Sequence, residues 1–216
     1  MTKQMERKQQ PGKAPNKVGR LLKPQLSYKV EVTDKGGRVI AREEGPSRSY
    51  VRQWNEIFHL HAAHIYLGGG GTVKDTSGST CTDARYTSVS FKSDGGIGET
   101  KWGLRVGKDS TPVSINDYAL GNPLAEGTGT DQLEHQLTYF TGPSVLGSTL
   151  SFTIQRSMVN HSGSTISGIQ EIGDYIMFSC GMYTRFAMGF RDVLGSPFSI
   201  PDGGAITVTY TLKVTA

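Results

Sequence analysis

Along most of this chain the apolar side chains recur at every second position, the period of a strand with one buried face. Leu26-Ser27-Tyr28-Lys29-Val30-Glu31-Val32 alternates in this way, Asp34-Lys35-Gly36-Gly37 interrupts it, and Arg38-Val39-Ile40-Ala41-Arg42 resumes it. That is a β-hairpin signature. Strands are predicted at 85–91 and 102–107, with another short element at 112–120 and a loop at 94–98. From Gln132 the alternation is steadier, and 133–139 and 149–158 predict long strands. Shorter runs follow at 166–173, 175–178 and 184–191, then a turn closing on Pro201-Asp202-Gly203-Gly204. The last segment, 205–214, sets Ile206, Val208, Tyr210, Leu212 and Val214 on one face.

One stretch changes period. Between Ser47 and Tyr66 the apolar positions Val51, Trp54, Phe58, His61 or Ala62, and Ile65 recur at intervals of three and four, which predicts an amphipathic helix over 47–66. Pro46-Ser47 suits its start, and Gly68-Gly69-Gly70-Gly71 suits a hinge that ends it. Trp54, Phe58 and His61 on this helix are candidate interface residues. About eight strands separated by turn-rich segments predict an all-β fold, an antiparallel β-sandwich of jelly-roll type with one helix. A hydrophobic content of 36% and 28 glycines agree with many turns and short strands. Residues 30–216 are read as one sandwich domain that includes the helix.

Charge adds a second part. Residues 1–29 carry Lys3, Arg7, Lys8, Lys13, Lys17, Arg20, Lys23 and Lys29 against Glu6 alone, a net of +7, while the whole chain is +4. The body from residue 30 onward is therefore −3. A segment so rich in Lys, Gln, Pro and Gly cannot bury enough apolar surface to order itself, so 1–29 reads as an extended basic arm that needs a partner. Charge alone would suggest nucleic acid. Its confinement to the arm, on a slightly acidic body, points instead to a tether between protein subunits, with Lys3, Arg7, Lys8, Lys13, Lys17, Arg20 and Lys23 as the contacts.

Candidate chemistry changes this picture little. Cys81 and Cys180, with 98 residues between them, form neither a CxxC motif nor a disulfide framework. With synthesis expected in a reducing cytoplasm they are read as two free thiols, a single long-range bridge being the alternative. His59, His61 and His64 lie on the predicted helix, where His59 sits roughly 200° from His61, so the three do not converge on one ion. Gly68-Gly69-Gly70-Gly71-Thr72-Val73-Lys74 lacks the order of a phosphate-binding loop. Asp75, Asp83, Asp94, Glu99, Asp109, Asp117, Asp131 and Asp174 read mostly as turn carboxylates, and Asn160-His161-Ser162 with Gly163 as a hairpin turn. No G-x-S-x-G elbow occurs. The chain is expected to be no enzyme and to need no cofactor or metal. It has neither a run of about 18–20 apolar residues for a membrane span nor a secretory apolar region.

Several segments resemble β-sandwich virion proteins of tailed bacteriophages and prophages. They are Gly103-Leu104-Arg105-Val106-Gly107, Thr111-Pro112-Val113-Ser114-Ile115-Asn116-Asp117-Tyr118-Ala119-Leu120, Asn160-His161-Ser162-Gly163-Ser164-Thr165-Ile166 and Glu171-Ile172-Gly173. Phe190-Arg191-Asp192-Val193-Leu194-Gly195-Ser196-Pro197-Phe198-Ser199-Ile200-Pro201-Asp202-Gly203, followed by a Thr/Val-rich strand, belongs with them. The likeness covers roughly 100–216, and the hairpin and helix with Tyr50-Val51-Arg52-Gln53-Trp54 look like the front end of the same kind of protein. The basic arm is similar in type to those of jelly-roll coat proteins. The resemblance implies a structural protein of a virus particle, with copies of itself and other virion proteins as partners, made in the host cytoplasm and ending in the virion. It carries no catalytic residues. The expected rivals are a receptor- or carbohydrate-binding tail module presenting loops 68–84, 94–100 and 121–131, and a coat protein whose arm binds packaged nucleic acid.

Overall fold

The computed structural model of the chain describes residues 25–47, 49–63, 66–85 and 91–215. Strands make up 58% of it, arranged as two packed, mostly antiparallel sheets, with one helix among the described residues. β1 (Gln25–Thr33) turns into β2 (Val39–Ser47), and Asp34 Oδ1 closes the turn by accepting the N–H groups of Gly36 and Arg38, both at 3.0 Å. Because β1 begins at Gln25, the last five residues assigned to the arm belong to a sheet. Residues 1–24 lie outside the described residues.

The helix α1 (Arg52–Ala63) is shorter than the predicted 47–66. Tyr50 pairs with Phe190 as an extended residue, and the Val51 N–H donates to Gly189 O at 3.2 Å, so the backbone is committed to a sheet edge until Arg52. Among its described side chains Gln53 and Ile57 are buried, whereas Phe58 is 58% exposed, so the stripe is turned by one residue from the predicted face. β3 (Tyr66–Lys74) and β4 (Thr80–Arg85) follow as an antiparallel pair. The four glycines therefore lie inside a strand and are not a hinge. Between the pairs Gly68↔Asp83 and Val73↔Cys81 the first strand holds four residues and the second only Thr82, a bulge that glycine backbone accommodates.

Five short strands come next: β5 (Gly103–Gly107), β6 (Ala125–Glu126), β7 (Gln132–His135), β8 (Tyr139–Phe140) and β9 (Ser144–Leu146). Four long ones end the chain: β10 (Thr149–Val159), β11 (Ile166–Cys180), β12 (Tyr183–Ile200) and β13 (Ala205–Thr215). The described strands thus number thirteen against about eight expected. The predicted long strand at 133–139 is broken into β7 and β8, 112–120 forms turns, and residues 86–90 of the predicted 85–91 lie outside the described residues. One sheet has the order β2-β1-β13-β10-β7-β6, with β8 and β9 also on β10; the other is β12-β11-β4-β3, with β5 on β11. Among the described strands only β6 and β7 pair in parallel. No helix among the described residues is long and apolar enough to cross a membrane.

The core lies between the sheets. Ile206, Val208 and Tyr210 of β13, Val30 and Val32 of β1 and Met158 of β10 face Ile172, Phe190 and Leu194 of the other sheet. The chain passes between sheets at 160–165 and at 201–204, so Asn160-His161-Ser162-Gly163 is a crossing and not a hairpin turn. Asn160 binds the two crossings together: its N–H donates to Gly204 O at 2.9 Å, its O accepts from Gly203 N at 2.7 Å, and its Nδ2 donates to Ile200 O at 2.9 Å. Across the core, Tyr210 Oη donates to Asp192 Oδ2 at 2.8 Å.

Three buried charges organise the loops. Arg156 on β10 points inward at 1% exposure and donates to Gln136 O, Gly96 O and Glu99 O, each at 2.7 Å, and to Leu104 O at 3.2 Å. Burial lowers its pKa to about 10. On the far face of β11 and β12, Glu171 accepts the N–H groups of Asn122 at 2.8 Å and Gly121 at 3.0 Å, and Arg191 Nε at 3.1 Å. Arg191 spends its remaining N–H groups on Asp109 Oδ2 at 2.9 Å, Asp117 Oδ2 at 3.0 Å and Thr111 O at 3.1 Å. Residues 108–122 are thereby laid over the outer face of β11 and β12, with Leu120 packed on Tyr175, Met188 and Val51. A Cβ at Gly107 would overlap the Glu171 carboxylate, which accounts for that glycine.

Cys81 and Cys180 form a disulfide, with Cα atoms 6.0 Å apart. This corrects the free-thiol expectation. The end of β11 pairs with β4 through Cys180↔Ala84, which carries Cys180 to the strand that holds Cys81, a proximity that sequence spacing does not reveal. The bridge sits in a second small core under α1, formed by Ile57, Val73, Ala84, Ile176 and Phe178.

Two outcomes are expected. Replacing both cysteines by alanine should lower unfolding free energy by about 2–4 kcal/mol, because the bridge closes a loop with a sequence separation of 99, and a guanidinium titration reads it. Asp174 is buried beside Ser93, and burial raises its pKa to about 7. Its folded-state pKa exceeds the unfolded value, so its contribution is fully present below about pH 4 and lost as pH rises to 7. D174N should remove that decline and exceed the parent in stability at pH 8. The opposite shift of His135, lowered to about 4 by burial, is common to both proteins and cancels in the comparison.

Candidate functional site

At one end of the sandwich three central strands run past the material that covers them. β1, β13 and β10 are paired side by side, and directly opposite residues share a face. The row Leu26, Leu212, Phe152 is still packed on the core, with Leu26 buried. The next row outward, Val214, Leu150 and Val145 of β9, is exposed at 36%, 47% and 72%. α1 stands over this overhang as the second wall. Between the two lies a groove of about 430 Å³, lined by Gln25, Leu150, Phe152, Leu212, Lys213 and Val214 from the strands and by Tyr50, Trp54, Asn55 and Phe58 from the segment around α1.

An aromatic chain links the groove to the core. Trp54 lies 5.2 Å from Tyr50, 4.5 Å from Phe91 and 5.7 Å from Phe190 between ring centroids, and Phe190 lies 4.5 Å from Tyr210. Trp54 is held on three sides, whereas Phe58, 6.4 Å from Phe91, projects into the groove from its open side. Burial raises the pKa of the Tyr50 hydroxyl. The lining is chiefly rings and aliphatic groups, with Lys213 its one cation among the described residues. Its chemistry is that of binding an apolar segment by area.

The structure brings two of the sequence-predicted site residues, Trp54 and Phe58, to this groove. His61 falls within α1, and its side chain and that of His64 lie outside the described residues; His59 is exposed. The arm cations Lys3, Arg7, Lys8, Lys13, Lys17, Arg20 and Lys23 also lie outside the described residues. Gln25, the first of the described residues, lines the groove. Sequence reasoning missed Leu150, Phe152 and the exposed row beside them. The signal was present: Leu150, Phe152 and Ile154 continue the inward alternation of β10 to its very start.

Of the three loops expected to present polar groups, 68–84 is largely the β3/β4 hairpin. The loops 94–100 and 121–131 meet beside β7, where Gly98 N donates to His135 O at 2.9 Å and His135 Nδ1 lies 2.7 Å from Glu126 Oε2. No three His, Cys, Asp or Glu side chains of the described residues are grouped to hold a metal ion. Among known proteins, no family model, no curated protein and no solved structure matches the chain.

The two rings separate folding from binding. Phe58→Ser should leave stability within about 0.5 kcal/mol of the parent, because the side chain is mostly exposed. Trp54→Ala should cost about 3 kcal/mol in a denaturant titration, since it empties the centre of the aromatic chain.

Proposed function

We propose that this chain is a structural component of a virus particle, of bacteriophage type, whose body is a jelly-roll-like sandwich and whose basic arm is laid over neighbouring subunits. The observation that carries this reading is the junction at Gln25. A segment with seven cations in residues 1–24 leaves a stiff two-sheet body beside an uncovered apolar rim. Ordering 24 residues costs on the order of 1–2 kcal/mol each, an expense offset by contacts repeated through a symmetric assembly. The resemblance of residues 100–216 supplies the phage attribution. On this reading the Cys81–Cys180 bridge closes only after the chain leaves the reducing cytoplasm.

Deleting residues 2–24 should leave a folded, soluble domain that no longer enters assemblies, as read by circular dichroism and by sedimentation of the co-expressed particle. Normal incorporation of the truncated chain would end the arm hypothesis. A parent protein whose assembly collapses between 50 and 200 mM salt only when nucleic acid is present would favour the genome-binding alternative.

A further inference from the structure

We propose that the margin of the first sheet formed by β8 and β9 is the face on which a second copy of this chain packs, side chain to side chain. The inference goes beyond the arm reading and stands without it. Among the described strands β8 and β9 pair with β10 alone, so their far sides form an edge of that sheet. Along this edge Leu137, Tyr139, Val145 and Leu146 are each at least 60% exposed, Leu146 at 87%. Pairing puts Val145 on the inner face, opposite Leu150, and Tyr139 and Leu146 on the outer face, opposite Gln155 and Thr149. The apolar surface therefore wraps around a convex edge, a shape that suits a protein surface and not a small molecule, which needs a concave site.

Charge selects the partner. Residues 136–155 contain no Asp, Glu, Lys, Arg or His. The two charged or titratable residues that bound this stretch, His135 and Arg156, are turned inward and buried. On the outer face the residues of β13 opposite the odd positions of 149–157 are Thr207, Thr209, Thr211 and Thr215, with Lys213 the single charge. The other edge of the same sheet is built differently. There β2 carries Arg42, Glu43, Glu44 and Pro46, the residue types by which exposed edges avoid unwanted pairing. A two-fold contact sets a patch against itself, so a fixed charge within it is brought near its like. A patch without charge is self-complementary in this sense, whereas a foreign partner imposes no such restriction and is ordinarily matched by opposite charges.

The margin is also held in one shape. Gln136 N donates to Ser157 O at 2.9 Å before β8, and after it Thr141 N donates to Thr153 O at 3.1 Å while Thr153 N donates to Thr141 Oγ1 at 2.8 Å. The Gln136 carbonyl accepts from the buried Arg156 Nε at 2.7 Å. Backbone fixed in this way loses little conformational freedom when a second copy covers it.

Sedimentation equilibrium of the full-length chain tests this. The parent should dimerise reversibly, with a dissociation constant below about 100 µM. Leu146→Glu should raise that constant about 100-fold at unchanged unfolding midpoint, because each copy would bring a carboxylate into an apolar contact. Ile40→Glu, at an exposed apolar position on β2, should leave it unchanged. The dimer should also persist in about 1 M sodium chloride, since apolar contact is not screened by salt. A parent that is monomeric throughout, no effect of Leu146→Glu, or an equal effect of Ile40→Glu would overturn the proposal. Dissociation by salt would overturn it in favour of the arm's cations and leave the particle reading standing. A monomer that cosediments with phosphatidylcholine vesicles unless Leu146 is replaced would overturn it in favour of a lipid surface.

Discussion

The buried pair of Glu171 and Arg191 is the constraint from which the outer architecture follows. Two opposite charges on adjacent strands, nearly free of solvent, are tolerable only if their remaining lone pairs and N–H groups are all satisfied. Residues 108–122 supply what is missing, with backbone N–H groups for the carboxylate and Asp109, Asp117 and a carbonyl for the guanidinium. The second sheet is therefore covered on both faces. That cover allows β11 and β12 to run for 15 and 18 residues with centres buried throughout. Glycines at 107 and 121 are part of the same arrangement, because a side chain at either would displace a carboxylate.

The same logic of shared partners stiffens the rest of the body. Arg156 holds the 95–104 segment against the first sheet through three of its carbonyls, Asn160 ties one crossing to the other, and the Cys81–Cys180 bridge fastens β4 to the end of β11 beneath α1. These fastenings leave the far ends of β1, β10 and β13 outside their reach. An apolar rim persists there beside the point where the basic segment joins. Among the described residues this rim is the exposed apolar continuation of a sheet whose inner rows are buried.

Much of the first sheet was legible. Ile206, Val208 and Tyr210 are buried as their alternation predicts, and the hairpin of β1 and β2 turns at Asp34. The second sheet was not. Ile166-Ser167-Gly168-Ile169 and Tyr175-Ile176-Met177-Phe178 read as separate runs, because a strand buried on both faces loses the alternation by which strands are recognised. For the candidate site, Trp54 and Phe58 were named from helical spacing, but Ile57 and not Phe58 faces the core, since pairing of Tyr50 and Val51 with β12 delays and turns the helix. For the rim on β10 the alternation of Leu150, Phe152 and Ile154 marks the inward face, but nothing local distinguishes an apolar residue on it that will be covered from one that will not.

By itself the sequence determined what depends on neighbours along the chain: the period-two strands of the first sheet, the one helix among the described residues, the turn at Asp34, and a net charge of +7 in residues 1–29 against −3 in the rest. Tertiary structure alone decided the bridging of Cys81 to Cys180, the choice of 108–122 as a covering layer and the convergence of the helix interface with the root of the arm. Each of these joins residues tens of positions apart, where proximity is set by sheet order and burial and leaves no trace in local spacing.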